Sequence, residues 1–212
     1  MKGNTKHKNG SKSKNRAKKS TASSGSKRIA QKTNSRQARN GQGMDATEFL
    51  MKDHENVQGL FAQFERSRED AQKKAMLFEK IKDELQMHTK VEEEIFYPAV
   101  EELPIERAKD DIERSIQDHE EVDSLLHELQ SLSRDDADFD EKMAELMDAV
   151  RGHIELEHEE VFKVARAGLG EERLNEMGRE MEEFKRSMKE EQIDSEGASE
   201  RIVPRVRARH RS

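Results

Sequence analysis

From Met44 onward the apolar positions recur at helical spacing. Phe49, Leu50, Val57, Leu60, Phe61 and Phe64 fall three, four and seven residues apart, which puts them on one face of an α-helix. Asp45 and Thr47 are N-cap candidates before it. Leu77, Phe78, Ile81, Leu85 and Val91 mark a second helix over about 69–100, with Pro98 and Pro104 punctuating its end. Ile112, Ile116, Val122, Leu125, Leu126 and Leu129 mark a third over about 105–132. A polar connection, Ser133–Asp140, leads to a fourth helix carrying Met143, Leu146, Met147, Val150, Ile154 and Val161, ended by Gly168 and Gly170. A weaker fifth helix follows over about 171–189. No segment alternates with a period of two. The pattern predicts an all-α protein: an up-down-up-down four-helix bundle over 44–168 with an extra C-terminal helix over 169–192.

Charge divides the chain further. Residues 1–43 hold nine Lys and four Arg and no acid, and residues 201–212 hold five Arg and no acid. The net −7 is therefore +13 for 1–43, −25 for 44–200 and +5 for 201–212. The first stretch lacks the apolar surface needed to offset ordering entropy, so disordered basic tails are expected at 1–43 and 193–212. A polybasic arm of this kind suits non-specific binding of nucleic acid or another polyanion by counterion release; the alternative is a solubilising tail that folds back on the acidic domain. No apolar stretch follows the early lysines as a secretory signal requires. No run approaches the ~18–20 residues of a membrane span, so a cytoplasmic protein without membrane contact is expected. The chain has no cysteine, which removes disulfides, thiolate metal sites and cysteine nucleophiles.

An internal repeat carries the chemistry. Asp53-His54-Glu55-x-Val57 recurs as Asp118-His119-Glu120-x-Val122, an offset of 65 residues. The same offset carries Leu60, Phe61 and Phe64 onto Leu125, Leu126 and Leu129, and carries His88, Glu92 and Glu94 onto His153, Glu157 and Glu159. Each half is helix–turn–helix, with a His on the first helix and H-x-x-x-E on the second. Residues i and i+4 share a helix face, so His88 with Glu92, and His153 with Glu157, aim two ligands at one place. His54 and His119 complete a ring of four imidazoles and two carboxylates. That set suits two first-row metals, with iron chosen over zinc or manganese. One such His or Glu alone would ordinarily be a hydrogen-bonded or solvated residue. Six at matching depth in one bundle would be costly unless coordinated.

On these stretches (Asp53-His54-Glu55, His88 to Pro98, Asp118-His119-Glu120 and His153 to Glu157) the chain resembles the hemerythrin-like, or HHE cation-binding, family over about 45–165. The resemblance implies a four-helix bundle around a non-heme di-iron centre, two iron ions, with O2 or NO as small ligand. By position it implies that His54 and His88 hold one iron, His119 and His153 the other, and that Glu92 and Glu157 bridge. Reversible O2 carriers of the family place a fifth histidine where this chain has Asp123. Asp123 is thus a further candidate ligand, or a hydrogen-bond partner to a ligand imidazole. His127, one turn on, is a second further candidate. His158 is expected to point outward, and Tyr97 to pack at a helix end or to serve as a redox partner. The function expected is a di-iron protein that binds or senses O2, NO or iron; the alternative is a di-iron redox enzyme acting on peroxide, O2 or NO.

Overall fold

A computed structural model describes residues 43–67 and 69–201, with side chains through 194. The expectations of disorder and polyanion binding for 1–43, and for the end of the C-terminal tail, lie outside these residues. Among the described residues the chain is helical and has no strand: α1 Ala46–Glu65, α2 Ala71–Val91, α3 Tyr97–Glu101, α4 Glu106–Ser131, α5 Ala137–Leu156, α6 Phe162–Gly168 and α7 Gly170–Arg201. Single π-helical turns, Glu92–Phe96 and Glu157–Val161, join α2 to α3 and α5 to α6 without a break. The four long rods of an antiparallel bundle are therefore α1, α2–α3, α4 and α5–α6.

Asp45 is the cap of α1. Its carboxylate accepts from the Glu48 amide at 2.9 Å, and the Glu48 carboxylate accepts from the Asp45 amide at 3.4 Å, a reciprocal capping box. Thr47, the other cap candidate, instead donates its hydroxyl to Asp45. Pro98 does not end its helix: it occupies the first turn of α3, where a missing amide proton costs little. The break falls beyond it, at residues 102–105. The connection before α5 is shorter than the polar composition suggests, because α5 begins at Ala137. Phe139 drives this. It is fully buried, 6.1 Å from the Phe64 ring and 5.6 Å from that of Phe78.

The core has two apolar clusters. One gathers Phe61, Phe78, Ile81, Leu129, Met143 and Leu146 at the end closed by the α1–α2 and α4–α5 turns. The other gathers Leu50, Phe96, Val100, Ile112, Phe162 and Met177 at the opposite end. Between them lies a layer of buried polar groups.

The fifth helix, α7, docks on the bundle and continues well past residue 192. Leu174, Met177 and Met181 are buried in the second cluster. Gly178 permits the approach, since a Cβ there would lie 2.1 Å from the Met44 carbonyl oxygen. Gly178→Ala is expected to destabilise the protein by about 1–3 kcal/mol through that overpacking. A thermal melt equal to that of the parent chain would show that α7 is not held at this crossing.

Candidate metal centre

Each ligand candidate comes from the middle of a rod. His54 lies on α1, His88 on α2, His119 on α4 and His153 on α5, with Glu92 and Glu157 opening the two π-helical turns. All six are buried, and the two glutamates have no exposed surface. Ligand atoms of His54, His88, Glu92, His153 and Glu157 all fall within 4.8 Å of one another. His119 joins them, with Nε2 3.2 Å from Glu92 Oε2 and 3.3 Å from His153 Nε2. His54 Nε2 sits 3.0 Å from His88 Nε2 and 3.2 Å from Glu157 Oε2. Glu92 Oε2 lies 3.2 Å from His88 Nε2. The imidazoles thus pair as His54 with His88 and His119 with His153, and the carboxylates stand between the pairs.

The π-helical turns explain the geometry. A π turn bonds i to i+5, so the residue brought over a given position is the fifth onward, not the fourth. The amides of Tyr97 and Phe162 accordingly donate to the carbonyls of Glu92 and Glu157. Tyr97 and Phe162 are themselves 65 residues apart. Tyr97 stacks on His119 at 5.6 Å between ring centroids, and Phe162 stacks on His54 at 6.0 Å. The Tyr97 hydroxyl donates to Glu157 Oε1 at 3.0 Å. It is therefore part of the centre and does not merely pack at a helix end.

The π turn also turns His158 inward. Rotation per residue is smaller there than in an α-helix, so the neighbour of Glu157 still reaches the site. His158 is half-buried, and its Nε2 lies 3.0 Å from His54 Nδ1; the outward position expected of it is corrected. Its counterpart 65 residues earlier is Glu93, whose carboxylate lies 2.9 Å from His119 Nδ1. Asp53 and Asp118, the first residues of the repeated motif, face His88 Nδ1 at 3.9 Å and His153 Nδ1 at 3.7 Å. Those separations exceed a hydrogen bond, and both Nδ1 atoms are unpaired within the protein. None of Asp53, Asp118, Glu93 and His158 is singled out by the composition of its helix, but the 65-residue offset connects each with its counterpart.

Asp123 and His127 are both exposed. The inward seam of α4 runs through Ser115, His119, Val122, Leu126 and Leu129, which leaves them one position off it. Asp123 lines an open groove of about 840 Å³ that reaches His119 and Glu93 from the surface between α2, α4 and α7. Beside the imidazoles a smaller pocket of about 10 Å³ is walled by Val57, Leu85, Val122, Val150 and Ile154, space for about one water.

Electrostatics without a cation are unfavourable. Burial and the Glu157 charge push the Glu92 carboxyl well above the usual range. Burial would raise Glu157 as well, but His153 and His54 outweigh it and hold Glu157 low. Burial lowers His88 to about 3, so its imidazole is neutral and able to ligate. Glu92 Oε1 and Glu157 Oε2 are buried without a hydrogen bond. Imidazole nitrogens facing each other at 3.0–3.3 Å, beside unsatisfied carboxylate oxygens, form a donor set made for cations. The residues present fit a metal centre.

A helical bundle with a buried His/Glu cluster between two apolar cores is the architecture of a cation-binding bundle protein. The hemerythrin HHE cation-binding domain matches residues 45–165. The chain belongs to that family. A DNA nickase from Nostoc sp. (strain PCC 7120 / SAG 25.82 / UTEX 2576) is 26% identical over 144 residues, which cover 68% of this chain and 40% of that protein. The match therefore spans well under half of the relative's length. No solved structure matches. No helix among the described residues is long and apolar enough to cross a membrane.

Proposed function

We propose that the protein is a non-heme di-iron protein that binds or senses O2, NO or iron at the His/Glu centre. The observation that carries this reading is the convergence of four imidazoles and two carboxylates, in two pairs, within one buried layer. His54 and His88 would hold one ion, His119 and His153 the other, with Glu92 and Glu157 shared. Iron bound there would supply redox chemistry toward a small oxygen or nitrogen ligand. The chain supplies the remainder. Val57, Leu85, Val122, Val150 and Ile154 give the small pocket beside the imidazoles an apolar wall, with space for about one water-sized group. The Tyr97 phenol, pushed well above its usual range by burial and then by the Glu157 and Glu92 charges, stays protonated and offers a hydrogen-bond donor. The open groove at His119 gives a route from solvent.

Protein purified under low oxygen is expected to carry about two irons per chain. His88→Ala or Glu92→Ala with undiminished iron content would sink the assignment. A ligand-to-metal absorption band that forms with O2 and reverses on degassing would indicate reversible binding. Steady turnover of added peroxide or NO would instead indicate a redox enzyme.

A second reading is favoured by the relative named a DNA nickase. The centre itself is too enclosed to admit a phosphodiester, its six residues being at most 6% exposed. DNA contact would then fall to the basic residues of 1–43, held by counterion release. DNA affinity of the full chain should exceed that of a chain beginning at Met44, and the gap should shrink as salt rises. Equal affinities would remove the idea.

A further inference from the structure

The two halves of the centre share their ligands by the 65-residue offset but not the groups behind them. His119 Nδ1 faces the Glu93 carboxylate at 2.9 Å, whereas the equivalent His54 Nδ1 faces the His158 imidazole at 3.0 Å. A metal on Nε2 leaves the ring proton on Nδ1, so each ligand must donate outward. His119 donates to an anion, a charge-assisted bond, and His54 donates to a neutral ring. The outer carboxylates differ in the same direction. Asp53, facing His88, accepts from the buried Lys185 ammonium at 2.7 Å, so its charge is compensated by α7. Asp118, facing His153, has a side chain 37% exposed, and no Lys or Arg pairs with it among the described residues. One subsite therefore has two uncompensated carboxylates behind it. The other has a carboxylate–ammonium pair and an imidazole.

Resting on the di-metal reading above, we infer that the two metal subsites are inequivalent: the His119/His153 subsite binds more tightly and fills first, with Glu93 and His158 as the positioning residues that set the difference. A carboxylate on the ring N–H makes the ligating nitrogen more basic, and losing such a partner typically costs about 10–100-fold in metal affinity. Glu93 is 43% exposed, so solvent screens its through-space pull. Its hydrogen bond to the ring remains. The shared carboxylates Glu92 and Glu157 touch both pairs and contribute little to the difference.

Cobalt(II) titrated into the metal-free full chain, followed by calorimetry and visible absorption, tests this without any activity assay. Two binding steps are expected. His119→Ala should remove the tighter step and His54→Ala the weaker one. Glu93→Gln should weaken the tighter step by about 10–100-fold and leave the other unchanged. His158→Glu should tighten the weaker step. These last two sites are at least partly exposed, so neither change needs to disturb the core. A single affinity for both ions, or loss of the weaker step in His119→Ala, overturns the inference. Absence of cobalt binding in the parent chain would reject the metal reading itself.

Discussion

Stripping the bound metal with a chelator is expected to lower the melting temperature by about 8–16 °C. The figure follows from linkage. A ligand that binds only the folded chain, present at about 1,000 times its dissociation constant, contributes about 4 kcal/mol. For a chain of this size each kcal/mol moves the midpoint by about 2–4 °C. The physical source is the polar layer between the two apolar clusters. Without a cation, Glu92 and Glu157 have no exposed surface, and each has an oxygen without a hydrogen bond. With a cation, those oxygens and the facing imidazole nitrogens become ligands. A thermal melt in excess metal and one in excess chelator measure the gap. Coincident melts would mean that nothing binds the folded state preferentially.

The second large effect has opposite signs in the two forms. Glu92→Met is expected to abolish metal binding and, at the same time, to stabilise the metal-free protein by about 1–4 kcal/mol. Methionine has nearly the length of glutamate and fills irregular space, so no large cavity results. The change removes a buried carboxyl that burial, and then the Glu157 charge, push well above the usual range. Against this stands the loss of the Glu92 contacts to His88 and His119, each at 3.2 Å, while the Tyr97 hydroxyl keeps Glu157 as its acceptor. Melting curves of both chains in chelator decide the matter. A metal-free variant that melts below the parent would show that the Glu92 carboxyl holds the fold together even unliganded.

Much of this was legible along the chain because both signals are periodic. The seams of the four long rods follow from spacings of three and four, and the offset of 65 residues brings six ligand candidates to one depth. What escaped the pattern did so for identifiable reasons. Phe139 sits in an acid-rich run, and only the burial against Phe64 and Phe78 shows that α5 already includes it. An outward His158 follows only if 100° per residue is carried through a turn that is not α-helical. The docking of α7 depends on the absence of a Cβ at Gly178 and on Lys185 reaching Asp53, both of them contacts across more than 130 residues of chain. Asp123 and His127 share a helix with His119 but not its seam.

The two π turns mean that each of the α2–α3 and α5–α6 rods is written in two phases. Before Glu92 the inward seam includes Leu85 and His88; after it the seam passes to Phe96, Tyr97 and Val100, one position later than an unbroken α-helix would allow. Val161, Phe162 and Ala165 repeat the slip behind Glu157. Loss of one residue within either turn would restore a regular helix and rotate everything beyond it by about 100°. Such a deletion would turn Tyr97 or Phe162 away from its histidine while leaving every ligand in the sequence. In this chain the count of residues between the ligands and the following aromatics is therefore as much a part of the site as the residues themselves.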